Sequence, residues 1–265
     1  MTDQSDRDTW MMRAQRRPIT PGTPGTSVAP EAREALERAA AHVQGGGLLV
    51  VPTDTVYGIG ALASDPAAVA RLLAAKGRGR RMPPPVLVAG VDQLDGVVAD
   101  IPSAARALIE SCWPGALTLV LAAAPRLSWD LGETGGTIAV RMPDHPLTLA
   151  LLRATGPMAV TSANRTGRPP TTDAASARAA LPFDDDGHGE ILVLDGGPTP
   201  GPVPSTIVSL VVGPVGPVGP ADHAAAPVVL RDGVLSRAAL AAVLRAAGAP
   251  PLAGATDGEH RGPRA

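Results

Sequence analysis

Residues 48–81 read LLVVPTDTVYGIGALASDPAAVARLLAAKGRGRR, and the rest of the chain is organised around them. Leu48, Leu49, Val50 and Val51 form an apolar run of strand length, buried on both faces. Pro52, Thr53, Asp54 and Thr55 make a polar turn. A second apolar run containing Tyr57 follows. Asp65 supplies a helix cap and Pro66 suits the first helical position, which predicts a helix over residues 66–75. That helix runs into Lys76-Gly77-Arg78-Gly79-Arg80-Arg81. Lys76 is the only lysine in the chain, beside twenty-two arginines among 23 basic residues. A chain that writes almost every cation as arginine and places one lysine in a glycine-rich basic loop needs a compact ammonium there, which a planar guanidinium does not replace. The loop is read as a polyphosphate site, with the Pro-Thr-Asp-Thr turn lining the pocket beside it.

Outward from this stretch, Pro30, Glu31 and Glu34 open a helix over residues 30–43, and Gly45, Gly46 and Gly47 end it. Residues 1–27 are polar and rich in Thr, Pro and Gly. They are expected to form a disordered tail, Trp10, Met11 and Met12 included. Downstream, Pro83, Pro84 and Pro85 enforce an extended segment into a short strand over 86–89. Helices are expected over 91–98, 103–113 (opening at a good Ser103 cap), 146–154, 173–181 and 236–247. Strands are expected over 116–122, 137–140, 158–160, 191–194, 205–212 and 228–230. Residues 213–226 read as a Gly/Pro/Ala connection and those after 248 as a flexible tail. Helices and strands are mixed without a strict repeat. The fold class is therefore α/β (α+β): a single domain over about residues 28–247 with a twisted, mostly mixed sheet.

Composition bounds the function. Apolar residues are 45% of the chain and aromatic ones 2%, so the core is built from Ala, Val and Leu. A net charge of −2 gives no global attraction to nucleic acid, and basic character is local. One cysteine, Cys112, excludes an internal disulfide and a cysteine zinc site. No apolar run approaches the ~20 residues of a membrane span. A cytoplasmic location is expected.

Four polar clusters follow apolar strands: residues 53–55, Arg141, residues 161–164 and Arg231. Strand ends are where α/β sheets place ligand groups. Hydroxyls, an amide and cations, with few carboxylates, suit an anionic ligand such as a nucleotide phosphate or an amino-acid carboxylate. Each cluster also has a plainer reading. The basic loop is also a solvated helix end. Arg141 is also an ion-pair partner for Asp144. Residues 161–164 and 231–233 are also turn chemistry. No P-loop, serine-elbow or metal-spaced histidine pattern occurs.

At these clusters the chain resembles the YrdC family, the L-threonylcarbamoyladenylate synthases. The matching stretches, in the family's order, are residues 52–58, Lys76-Gly77-Arg78, Trp113-Pro114-Gly115-Ala116-Leu117-Thr118, residues 137–143, Ser162-Ala163-Asn164, Ser205-Thr206-Ile207 and Leu230-Arg231-Asp232-Gly233. The resemblance implies a concave basic face. It also implies a nucleotidyl transfer that joins L-threonine, bicarbonate and ATP into threonylcarbamoyl-AMP and pyrophosphate, with Mg²⁺ held mainly through the ATP phosphates. The product would serve tRNA modification, with tRNA met directly or through threonylcarbamoyl-transferase partner proteins. By the same resemblance Lys76 and Arg78 are the catalytic cations. Lys76, Arg78, Arg80, Thr137, Ser162, Ala163, Asn164 and Arg231 hold ATP. Thr53, Arg141, Thr161 and Ser205 hold L-threonine. The chain departs from the family at Val86–Ala89, which lacks a histidine often present there, and at Pro204, where glutamate is common.

Two other classes compete. A non-catalytic RNA-binding module would grip a double-stranded RNA or tRNA backbone with the same basic face, but the arginines lack interleaved aromatics for stacking. A hydrogenase-maturation type of carbamoyl-transfer enzyme would need zinc-finger cysteines that one cysteine cannot supply. The enzyme reading predicts that Lys76→Ala abolishes threonine- and bicarbonate-dependent pyrophosphate release from ATP while the circular-dichroism spectrum stays native.

Overall fold

The computed structural model describes residues 11–13, 30–181, 191–211 and 226–253. Ten strands form one sheet in the order β1-β8-β2-β3-β7-β4-β6-β5-β9-β10. The strands are β1 Met11–Arg13, β2 Leu48–Val51, β3 Gly58–Leu62, β4 Val86–Leu87, β5 Leu117–Ala122, β6 Thr137–Arg141, β7 Met158–Ser162, β8 Ile191–Asp195, β9 Thr206–Ser209 and β10 Val228–Arg231. The helices are α1 Pro30–Gln44, α2 Pro66–Ala75, α3 Ser103–Cys112, α4 Pro146–Thr155, α5 Ala174–Ala180 and α6 Arg237–Ala246. No helix of the described residues is long and apolar enough to cross a membrane.

The alternation of side chains along β2 shows the layering. Leu49 and Val51 pack with Ala39 and Val43 of α1 and with Leu151 and Leu152 of α4. Leu48 and Val50 face the opposite core, with Leu72 of α2, Leu108 of α3 and Leu240 of α6. A strand buried on both faces is sandwiched between helical layers, which is why 48–51 is apolar without interruption. Helix starts follow local chemistry. Asp65 Oδ1 accepts the N–H of Ala67 at 2.9 Å and of Ala68 at 3.0 Å. Asp173 caps α5 and Ser236 caps α6 in the same way.

Several expectations change. The helix expected over 91–98 is one 3₁₀ turn, Val91–Leu94. Gly96 at φ 70° breaks the helical path, a conformation in which glycine carries no Cβ penalty. Ser103 is not a cap: the residue before α3 is Pro102, which has no side-chain acceptor. The strand expected over 86–89 stops at Leu87, because Ala89 gives its N–H to the Gln93 side chain. The strand expected over 205–212 is Thr206–Ser209. Its expected last residue, 212, and the connection over 213–225 lie outside the described residues. At Met11–Arg13 the expected unstructured tail gives way to backbone pairing, parallel to β8. After residue 248, Leu252 is buried and the N–H of Ala253 reaches the carbonyl of Pro227 at 2.8 Å.

The β3–β7 contact is close because β3 carries glycines. A Cβ on Gly60 would lie 2.6 Å from Val160 Cγ2 and 2.8 Å from the Ala159 carbonyl oxygen. The carbonyl oxygen is backbone and does not move without disturbing the ladder. Gly60→Ala is therefore expected to cost about 1–3 kcal/mol, the usual range for overpacking, read as a lowered urea midpoint.

Candidate active site

The turn after β2 is folded by Thr53. Its hydroxyl donates to the Val56 carbonyl at 2.7 Å and accepts the N–H of Thr55 at 3.1 Å and of Val56 at 3.2 Å. The Thr53 and Thr55 hydroxyls stand 3.0 Å apart. Thr55 Oγ1 accepts Arg141 Nη1 at 3.1 Å. Arg141 Nη2 donates to Asp54 Oδ1 at 2.6 Å, and Nε donates to the Gly115 carbonyl at 3.0 Å. Three of five guanidinium donors are used, which leaves one N–H on each Nη for a bidentate anion. Arg141 is buried. Burial pushes its pKa down, against the upward pull of Asp54. The ion pair offered by the sequence, Arg141 with Asp144, is not the one that forms. Asp144 contributes its backbone N–H, at 3.0 Å, to the same Asp54 oxygen.

A second group gathers at the end of α2. Lys76 is the C-terminal cap of the helix. Its side chain is 2% exposed, and its ammonium donates to the Ser162 carbonyl. The Lys76 carbonyl accepts the Thr166 hydroxyl at 2.8 Å. Burial first, and then the charge of Arg78, lower the Lys76 pKa to about 8. Arg78 Nε is buried with no hydrogen-bond partner. Asn164 donates its amide to the Arg165 and Arg168 carbonyls at 3.0 and 2.6 Å, while its Oδ1 is also buried and unpartnered. An unmatched buried donor and an unmatched buried acceptor in one site are groups that a bound ligand satisfies.

The third group is Ser205 with Arg231. Arg231 Nη2 donates to the Ser205 carbonyl at 2.7 Å and to its hydroxyl at 3.1 Å. The Ser205 hydroxyl also meets Thr118 Oγ1 at 2.8 Å. Burial lowers the Arg231 pKa most, followed by the charges of Arg141 and Arg78. Arg78 therefore depresses both Lys76 and Arg231, and it joins the second group to the third. Cations that hold one another's pKa down are relieved by an anion placed among them.

Arg80 and Thr137 stand apart from this cluster, Ala163 serves it through backbone, and Thr161 adjoins Ser162, whose carbonyl takes Lys76. Arg80 makes a two-pronged pair with Asp130 at 2.7 and 3.1 Å on the surface, rather than adding charge to the cluster. Thr137 stands at the other end of β6 from Arg141, its hydroxyl on the Thr134 carbonyl at 2.8 Å. Thr161 is buried in β7 opposite Ile59. Ala163 takes part through its backbone, bonded to Tyr57 and Thr171. Tyr57, unique in the sequence, is a structural tie: its hydroxyl donates to the Gly197 carbonyl at 2.8 Å. Asp54 and Thr55 lie in the expected 53–55 cluster but carry no individual expected role, and neither does Thr118. The first two adjoin Thr53 in a quoted motif, so their polarity was visible but their target was not. Thr118 ends another quoted motif, but as the second residue of an otherwise apolar strand it gives no hint of its target.

Among the described residues, no group of three or more His, Cys, Asp or Glu side chains comes together to hold a metal ion. The donor set is cationic, and the Asp54 carboxylate beside it is occupied by Arg141. These residues do not form a protein-built Mg²⁺ site.

A mixed sheet with helices on both faces and a group of buried, mutually repelling cations defines an α/β domain with a strongly cationic site. The family model described as "Telomere recombination", that of Sua5, YciO and YrdC, matches residues 41–218, and the chain belongs to this family. It is 47% identical to a putative threonylcarbamoyl-AMP synthase of Mycobacterium tuberculosis strain H37Rv, over 81% of this chain and 92% of that one. It is 39% identical to the threonylcarbamoyl-AMP synthase of Bacillus subtilis, over 79% of this chain and 56% of that one. The crystal structure of Pyrococcus abyssi Sua5 complexed with L-threonine superposes with a TM-score of 0.68 at 35% identity, covering 79% of this chain and 57% of that one. The chain thus spans little more than half the length of the Bacillus and Pyrococcus relatives.

The lowered Lys76 pKa sets a pH dependence. Below about 8 the side chain is a cation; above it, the charge that attracts an anion is lost. Between pH 7 and 9, ATP affinity is expected to fall roughly tenfold by proton linkage, read by calorimetry. In Lys76→Met, binding is weaker and this Lys76-dependent fall is absent.

Proposed function

We propose that this chain is a threonylcarbamoyl-AMP synthase, joining L-threonine, bicarbonate and ATP into threonylcarbamoyl-AMP, pyrophosphate and water. The observation that carries this reading is the joining of two differently built anion sites through Arg231, which feels the charges of both Arg141 and Arg78. One is an oriented guanidinium with two N–H groups to spare. The other is a cluster of buried cations with an unmatched donor and acceptor. The first suits an amino-acid carboxylate and the second a polyphosphate. The names of the relatives support the same chemistry.

In this reading Arg141 holds the threonine carboxylate, with Thr53, Thr161 and Ser205 around it. Thr53 acts through the turn it folds, since its hydroxyl is already committed. Lys76, Arg78, Ser162, Ala163, Asn164 and Arg231 take ATP, with Thr137 at the far end of β6. The Arg231–Ser205 bond links the two ligand halves. The threonine amine, as its free base, adds to the bicarbonate carbon, and a C–O bond breaks to release water and leave a carbamate. A carbamate oxygen then attacks the α-phosphorus, and pyrophosphate leaves from the opposite side. Two anions must meet in that step. Lys76, Arg78 and Arg231 neutralise the phosphates, and Arg141 fixes the direction of approach. Mg²⁺ is proposed to arrive on the ATP phosphates, where oxygen ligands suit it. The product would donate the threonylcarbamoyl group for tRNA modification by partner proteins.

The RNA-gripping alternative needs cations displayed to solvent. Lys76 and Arg141 are buried instead, which favours small ligands. The test is mass detection of the adenylate, with each of the three substrates omitted in turn. Arg141→Ala is expected to raise the threonine KM by tenfold or more and the ATP KM by less than about twofold, since a buried charged hydrogen bond is worth about 1.5–3 kcal/mol. A thermal melt confirms the fold of the variant.

A further inference from the structure

We propose that Asp54 is a positioning residue that sets selectivity for a carboxylate-bearing substrate by fixing the Arg141 guanidinium. This rests on the reading of Arg141 as the threonine-carboxylate group. Asp54 Oδ1 lies 2.6 Å from Arg141 Nη2, with side chains 15% and 7% exposed respectively. The same oxygen accepts the N–H of Asp144 at 3.0 Å. One oxygen therefore ties the turn after β2 to the turn after β6, two strands separated in the sheet by β3, β7 and β4.

The guanidinium is held on three sides: Gly115 takes Nε, Thr55 takes Nη1 and Asp54 takes Nη2. The Gly115 carbonyl and the Thr55 hydroxyl are neutral acceptors. Asp54 is the charged one, and charge-assisted hydrogen bonds are roughly twice as strong as neutral ones. Removing it frees the end of the side chain that carries Nη2. The two spare N–H groups then lose their fixed direction, and the fork no longer meets a carboxylate as a pair. Asp54 is also a negative charge close to an anion site. It therefore lowers raw anion attraction while sharpening geometry, so its loss acts on directional recognition of a carboxylate and leaves the phosphate cations untouched.

The test is calorimetric binding of L-threonine, L-threoninamide and ATP to the full chain as wild type, Asp54→Asn and Asp54→Ala. L-threoninamide keeps the ammonium and hydroxyl and lacks the carboxylate. Wild type is expected to favour L-threonine over the amide. In Asp54→Ala, L-threonine affinity should fall roughly 30-fold or more, the range for truncating a buried charge pair. Its preference over the amide should collapse with it, and the ATP Kd should stay within about twofold. Asp54→Asn keeps an acceptor oxygen, is the milder change for folding, and should fall between the two. In the Arg141→Ala background, Asp54→Ala should reduce threonine affinity no further. An unchanged threonine-to-amide preference in folded Asp54→Ala or Asp54→Asn overturns the proposal. So does an equal loss of threonine and ATP binding. Wild type that binds ATP but not L-threonine overturns instead the reading on which the proposal rests.

Discussion

The structure depends on keeping like charges together out of water. Lys76, Arg78, Arg141 and Arg231 influence one another electrostatically, and Lys76 and Arg141 are almost fully buried. Burying a cation costs several kcal/mol unless hydrogen bonds and counter-charge offset it. Here each cation is matched differently. Arg141 has a carboxylate. Arg231 has the carbonyl and hydroxyl of one serine. Lys76 has a strand-end carbonyl. Arg78 has an Nε with nothing bonded to it. The residual imbalance is positive, and a polyanion is what completes it.

The sheet makes that gathering possible, and not by aligning strand ends. β2, β5, β7 and β9 run one way, while β3, β4, β6 and β10 run the other. Arg141 and Arg231 end strands of the second direction. The 53–55 turn and Ser162 end strands of the first. In a flat sheet these groups would stand at opposite edges. Four strand steps separate β2 from β6, and sheet twist of about 20–25° per step turns one through about 80–100° relative to the other. The two-residue β4 in between adds little ladder to resist further coiling. The twisted sheet thereby lets the 2.6 Å bond from Asp54 to Arg141 close across it.

This arrangement suits a reaction between anions. Each cluster of cations is rooted in a different element, so the ligands are held from several directions before any bond changes. Positioning and charge neutralisation are the main contributions a protein makes to phosphoryl-type transfer. The absence of a histidine from Val86–Ala89 leaves that segment apolar, with Val88 bonded through its N–H to the Arg141 carbonyl.

Read alone, the sequence determined the local elements and the chemical inventory. Asp65-Pro66 marks a helix start because an acceptor and a fixed φ are local properties. Residues 48–51 mark a doubly covered strand because burial on both faces needs an unbroken apolar run. The lone Lys76 in its glycine-rich basic loop stood out for the same reason: composition and neighbours suffice. The fold class was legible through ordered motifs, and the same motifs singled out Arg141, Ser205 and Arg231, which the structure brings together. Other features belonged to tertiary structure alone. Asp54 rather than Asp144 became the partner of Arg141, Arg80 turned away to Asp130, Thr118 joined Ser205, and Met11–Arg13 paired with β8. Each of these is settled by distances between segments far apart in the chain. Such distances follow from the direction and twist of intervening strands, which no run of adjacent residues encodes.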